Sequence, residues 1–210
     1  STEVKFGLFK KGTNDKIDVA PEVETKDNGR VVVMTFKDLP FADTDGKAIE
    51  YEVREMNAAG DILNNGDVLT IGNKEYKVSY KEGNDGVIIT NTELIKITVE
   101  KVWGENVPET ARQSVKFRIT TDVKSDKANQ IYELNEANNW TMEFKNLPLY
   151  NNGEKINYSV VETEINGDKV DLTQNPVTDA NGKTVYYHKA FKITLEGAND
   201  ITESKTVNIT

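Results

Sequence analysis

Cysteine is absent from the 210 residues, which excludes disulfides and thiolate metal sites while leaving the cellular compartment open. Histidine occurs once, at His188 beside Tyr186 and Tyr187. Neither a multi-histidine zinc site nor a hydrolase triad can be built on it, and a lone imidazole on a strand reads as packing. Long apolar runs are missing too. Nothing approaches the ~20 residues of a membrane helix, and the opening STEVKFG has neither a basic stretch nor a hydrophobic one, so the reading is of a soluble, already processed piece. Basic residues are in deficit, 26 Lys and Arg against 35 Asp and Glu for a net charge of -9, which argues against nucleic acid or an anionic membrane as partner. No Gly-rich loop links a strand to a helix, so no nucleotide is expected. Asp43-Thr-Asp-Gly opens like a calcium loop but lacks the downstream ligands, and a hairpin turn is the better reading. No metal and no cofactor are expected.

What is present is a succession of short stretches rich in β-branched and aromatic residues: EVKFGLF, RVVVMTF, IEYEVREM, KEYKVSY, VIIT, IKITVEKVW, VKFRIT, WTMEF, NYSVVETEI and FKITLE. The separators DNG, NNG, DTDG, ANG and EGAND supply left-handed and Asx-turn positions. This spacing predicts an all-β chain of antiparallel sandwich type, with helix confined to a turn or two. Asp15 to Glu24 is polar without clean alternation and reads as a short irregular or helical turn.

An internal repeat divides the chain. VKFGLF is followed by FKDLPFADTDGKAIEYEVREMNAAGD, and VKFRIT by FKNLPLYNNGEKINYSVVETEINGD. Two related domains, 1–93 and 94–210, are predicted to meet near residues 92–94. That step has no Gly or Pro, so end-to-end stacking with limited bending is expected.

Period-two alternation puts Tyr51, Val53 and Glu55 on one strand face, and Tyr158, Val160 and Glu162 on another. Asn91 ends the row of Val87 and Ile89, and Lys101 ends the row of Ile95, Ile97 and Val99. Burial raises the pKa of a carboxyl and lowers that of a lysine, which becomes a nucleophilic neutral amine. Beside an asparagine amide, with a protonated glutamate to polarise the carbonyl and move protons, such an amine can form an isopeptide and release ammonia. Glu55 and Glu162 are expected to be the catalytic carboxyls, buried and hydrogen-bonded. The commoner alternative is that charged groups at strand ends snorkel into solvent. Trp103 and Trp140 read as core anchors.

EKVWGEN, NNWTMEFKNLPLYNNGEKINYSVVETEI and VIITNTE resemble the Cna B-type domain of Gram-positive surface proteins and pilins. The resemblance implies tandem immunoglobulin-like β-sandwiches with self-formed isopeptide bonds. It maps a lysine and a glutamate onto Lys101 and Glu162 in the second domain, and a glutamate and an asparagine onto Glu55 and Asn91 in the first. It also implies an extracellular stalk or pilus segment, wall-attached through regions outside this chain, with neighbouring domains of the same protein as partners. Such chemistry consumes its own side chains and is not turnover catalysis. A ligand-binding adhesin recognising host matrix proteins, through loops such as 57–73 or 165–184, is the alternative. Aligning VKFGLF with VKFRIT leaves no counterpart of Lys101 before Val4, so the first domain is expected to lack its first strand unless Lys5, Lys10 or Lys11 substitutes. Aligning TVNIT with GVIIT puts the counterpart of Asn91 just past Thr210. Asn208 is the nearest substitute, on the opposite face unless a bulge shifts the register. The expectation is of a fragment, or one unit of an array.

Overall fold

The computed structural model describes residues 4–83, 86–123, 130–172, 176–189 and 191–210. Part of the 165–184 loop lies outside the described residues. Among these the regular elements are strands, apart from 3-10 turns at Asp27–Gly29, Glu109–Ala111 and Glu136–Asn138. Asn-Gly pairs close hairpins as the sequence predicts. Asn152 and Gly153 have φ of 49° and 85°, and Asn166 and Gly167 have 49° and 82°. Two successive left-handed residues make the turn whose twist matches that of its strands, with Asn151 opposite Glu154 and Ile165 opposite Asp168.

The chain divides into two compact units, Ser1–Asn91 and Thr92–Thr210. The division falls inside one strand, Gly86–Lys101. Thr92-Glu93-Leu94 offers no Gly or Pro to bend the backbone or remove a ladder donor there, so the two runs seen in the sequence are one element.

In the second unit, one sheet runs in the order Ile131–Leu134, Val115–Thr121, Tyr158–Ile165, Asp168–Lys169. Facing it, residues 94–101 of the long strand lie between Thr141–Pro148, antiparallel, and Lys205–Ile209, parallel. The sequence predicts antiparallel sheets; this parallel pair is the exception, because the unit's first and last strands lie side by side and run the same way. Alternation sends Ile95, Ile97, Val99, Val115, Phe117, Ile119, Val160, Val207 and Ile209 into one continuous core. Phe144 meets Phe117 and Tyr132 edge-on at centroid distances of 6.0 and 4.7 Å. A bulge at Thr163 shifts the phase of Tyr158–Ile165, so Ile165 rather than Glu164 is buried beyond Glu162.

In the first unit, Lys5–Lys10 pairs along its length with Tyr51–Met56 and on its other side with Lys16–Ile17. The segment expected as an irregular or helical turn therefore supplies a short strand at Lys16–Ile17 and the start of Glu22–Lys26. Glu22–Lys26 and Val31–Thr35 form a separate hairpin. Val68–Ile71 pairs with Lys74–Gly83, which adjoins the long strand. The buried apolar set is small: Leu8, Phe9, Met56, Leu63, Leu69 and Val78. Asp43 anchors a turn, its Oδ1 accepting from the amides of Asp45 and Lys47.

The sequence repeat is repeated in geometry. Asp38 and Asn146 of the two Phe-Lys-Asx-Leu-Pro elements have φ of 55° and 58°. Tyr51 donates its hydroxyl proton to the Pro40 carbonyl at 2.6 Å, and Tyr158 donates to that of Pro148 at 2.7 Å. In each unit the first tyrosine of Tyr-x-Val-x-Glu thus clamps the end of the preceding Leu-Pro element.

Candidate functional site

In the first unit the alternating row Tyr51, Val53, Glu55 carries the glutamate fully into the interior, with 0% exposure. Asn91 Nδ2 donates to Glu55 Oε1 at 2.8 Å. The other oxygens of the pair, Glu55 Oε2 and Asn91 Oδ1, are buried without a hydrogen-bond partner. Burial pushes the Glu55 carboxyl up, and the Asn91 amide only partly opposes this.

Sequence reasoning missed Tyr80. Its hydroxyl accepts from the Glu55 amide at 2.9 Å and donates to the Leu63 carbonyl at 2.7 Å, fixing the backbone that holds the carboxyl. The available signal was its place two residues beyond Val78, on the buried face of KEYKVSY. Tyr80→Phe leaves both backbone groups without this partner and is expected to destabilise the first unit by about 1 to 3 kcal/mol. Hydrogen exchange of the Tyr51–Met56 amides reads this directly, and unchanged exchange would contradict it.

In the second unit Lys101 and Glu162 are both buried, at 8% and 0% exposure. Burial pulls the Lys101 amine down, with Glu162 pulling the other way. Burial pushes the Glu162 carboxyl up to about 7, with Lys101 opposing. Lys101 Nζ sits 4.7 Å from the Trp103 ring centroid, and Trp103 meets Trp140 edge-on at 5.3 Å. The Trp103 ring faces the lysine amine, and both tryptophans pack on the core. Glu162 was expected to be hydrogen-bonded, yet neither of its oxygens has a partner. The Lys101 amine acts on it through charge, without a hydrogen bond.

The structure does not bring Asn208 to this pair. In the parallel register Ile209 lies opposite Lys101, whereas Asn208 lies opposite Glu100 on the other face. Lys205–Ile209 pairs without a bulge, so nothing moves Asn208 inward. Of the three lysines considered as substitutes in the first unit, Lys5 donates to the Ala58 carbonyl at 3.1 Å, Lys11 pairs with Glu50 at 3.3 Å, and Lys10 is exposed. The structure therefore holds two half-sites: a carboxyl with an amide, and a carboxyl with an amine.

The family model for the Cna protein B-type domain matches residues 1–92 and again residues 97–186. The chain belongs to this family. The collagen adhesin of Staphylococcus aureus is 30% identical over 188 residues, 87% of this chain and 14% of the adhesin. The Cna B-type pair thus spans only a small part of that relative. Solved structures similar to it include two B repeat units of the collagen binding protein of Staphylococcus aureus, at 20% identity, covering 100% of this chain and 44% of that one with a TM-score of 0.33. The major pilin subunit of Bacillus cereus is similar at 16% identity, 100% and 56% coverage, and a TM-score of 0.29.

Proposed function

We propose that this pair is a load-bearing stalk segment of a wall-attached surface protein or pilin, with neighbouring domains of the same protein as its partners, made rigid by Lys-Asn isopeptide bonds. The observation that carries the reading is the buried Glu55 carboxyl accepting from the Asn91 amide at 2.8 Å. A lysine amine attacks the asparagine Cγ, the new C–N bond forms, the C–Nδ2 bond breaks, and ammonia leaves. The glutamate receives the proton the amine loses and returns it to the departing nitrogen. Apolar surroundings keep the amine neutral and exclude water that would hydrolyse the amide. Glu55 acts on Asn91 in the first unit, and Glu162 on Lys101 in the second. A covalent tie between distant strands limits the unfolded ensemble as a disulfide does. The reaction occurs once per site, so the domain is not a turnover enzyme.

Intact-mass spectrometry of the parent protein isolated from the cell surface tests this. One ammonia is lost per domain, with cross-linked peptides containing Asn91 and Lys101. Glu55→Ala or Glu162→Ala restores the full mass of its own domain while the circular dichroism stays that of a β-protein. Full mass in the unsubstituted surface protein would refute the cross-link.

A further inference from the structure

The paired strands Lys5–Lys10 and Tyr51–Met56 turn Leu8, Val53 and Glu55 inward, and Gly7, Phe9, Arg54 and Met56 to the opposite, solvent side. Residues directly opposite one another share a face, so Lys16 joins this side beside Phe9, and Ile62 beside Met56. Phe9 and Met56 are nevertheless only 3% and 6% exposed. Gly7 makes room for them, since a Cβ there would lie 2.7 Å from Phe9 Cε2 and 3.2 Å from Met56 Cε. The Arg54 guanidinium stands 5.6 Å from the Phe9 ring centroid. A fixed turn forms one wall, with the Asn57 amide donating to the Asp61 carbonyl at 3.0 Å and Lys5 to that of Ala58 at 3.1 Å. The result is a preformed, open-mouthed cavity of about 650 Å³, apolar at Phe9, Met56 and Ile62 and polar at Asn14, Lys16 and Arg54.

The fold does not require this pocket. The repeat sets Gly7, Phe9, Arg54 and Met56 against Arg118, Thr120, Val161 and Thr163, and Gly7 opposite Arg54 occupies the same register as Arg118 opposite Val161. There Arg118 is exposed and the other three are half-buried, so the second unit has a long charged side chain where the first has glycine, and no aromatic floor. Charge singles out Lys16, which is exposed and makes no ion pair or hydrogen bond among the described residues. Arg54 pairs with Glu52 and donates to Asn14 Oδ1 at 3.3 Å, contacts that leave some of its N–H groups unused. Glu52 also accepts from the Gly12 amide at 3.0 Å. Asp61, the acidic residue of the lining, accepts from Asn57 Nδ2 at 2.9 Å within its own turn. The charge left without a counterpart is that of Lys16, beside an apolar floor, and its complement is a carboxylate carried next to an apolar group.

We propose that this pocket docks an acidic peptide segment of another protein, one with a glutamate or aspartate next to a leucine-sized aliphatic side chain. The aliphatic side chain enters between Phe9, Met56 and Ile62. The carboxylate meets Lys16 at the rim, with Arg54 as a second donor. Lys16 is the residue that sets specificity, because it alone offers the occupant an uncommitted charge. The site lies on the other side of the sheet from the Glu55 and Asn91 half-site, and docking depends neither on the cross-link nor on the stalk role proposed above.

The probe is the blocked tetrapeptide acetyl-Ala-Leu-Glu-Ala-amide, titrated into the whole 210-residue chain and followed by two-dimensional amide NMR. Saturable shifts are expected at Phe9, Lys16, Arg54 and Ile62. The glutamine version of the peptide is expected to bind about tenfold more weakly, and so is the glutamate peptide to Lys16→Glu, whereas Lys16→Arg keeps the affinity. Comparing the two peptides on the unsubstituted chain needs no variant to fold. Absence of saturable shifts with the glutamate peptide, equal binding of the two peptides, or undiminished binding to Lys16→Glu overturns the proposal. Tighter binding of acetyl-Ala-Leu with a free carboxylate also overturns it, by assigning the pocket to a chain end instead of an acidic side chain.

Discussion

Phe117→Ala is expected to lower the stability of the second unit by about 3 to 5 kcal/mol, whereas Val33→Ala should change the first by no more than about 0.5 kcal/mol. Both residues sit on strands of apolar pattern, and only their surroundings separate them. Phe117 has 0% exposure and packs against Tyr132 and Phe144 at 5.7 and 6.0 Å between centroids. Truncation opens a hole between two hydrogen-bonded sheets that cannot approach each other to close it. Val33 is 37% exposed, so little contact is lost. The measurement separates cleanly, because both tryptophans, Trp103 and Trp140, belong to the second unit. Denaturant unfolding followed by tryptophan fluorescence reads Phe117→Ala, and hydrogen exchange at Lys5–Lys10 reads Val33→Ala. A Phe117→Ala loss under about 1 kcal/mol would mean that the core relaxes around the hole, contrary to the sheet packing described here.

Much of this architecture was legible because a strand's period of two is short enough to read by eye. Alternation alone placed Glu55, Glu162 and Lys101 at the ends of apolar rows, and put Asn208 on the wrong face for Lys101. Asn-Gly pairs named their own turns, since few other residues tolerate two left-handed positions in succession. Long-range facts were not legible. The parallel pairing of Lys205–Ile209 with residues 97–101 depends on which strand edges remain free once the rest has folded, and no local pattern encodes that. Tyr80 reaches Glu55 across 25 positions through a hydroxyl that looks, in sequence, like any strand aromatic. The unpartnered state of Glu162 likewise depends on what other strands bring to it, the Lys101 amine included, and not on its own segment.

The second large effect is one of pH. Between about pH 4.5 and 7 the second unit is expected to lose about 3 kcal/mol of stability as pH rises, and Glu162→Gln is expected to abolish that loss. The folded-state pKa of Glu162 is pushed from 4.5 to about 7 by burial. The folded unit therefore binds the proton more tightly than the unfolded chain. Its contribution is complete below the unfolded pKa and disappears as pH climbs through the folded one. The carboxyls of Glu143, Asp168 and Asp179 shift the opposite way, held down chiefly by Lys96, by Lys189 and by the Lys183 amide respectively, so their contribution is lost as pH falls rather than as it rises, opposite in sign to that of Glu162. Lys101, pulled below 10.5 by burial, contributes stability that grows as pH rises through its own folded pKa, so Lys101→Met separates the two slopes. Glutamine keeps the shape of the protonated acid and cannot ionise, so the variant should overtake the parent above pH 7 and match it near pH 4. Fluorescence-monitored unfolding at several pH values decides the matter, and an equal slope in parent and Glu162→Gln would place the titrating group elsewhere. The same proton matters for the proposed chemistry: a carboxyl with a pKa lifted to about 7, beside an amine whose pKa burial lowers, can pass its proton to the departing nitrogen and take up the one the amine loses, with no proton drawn from water.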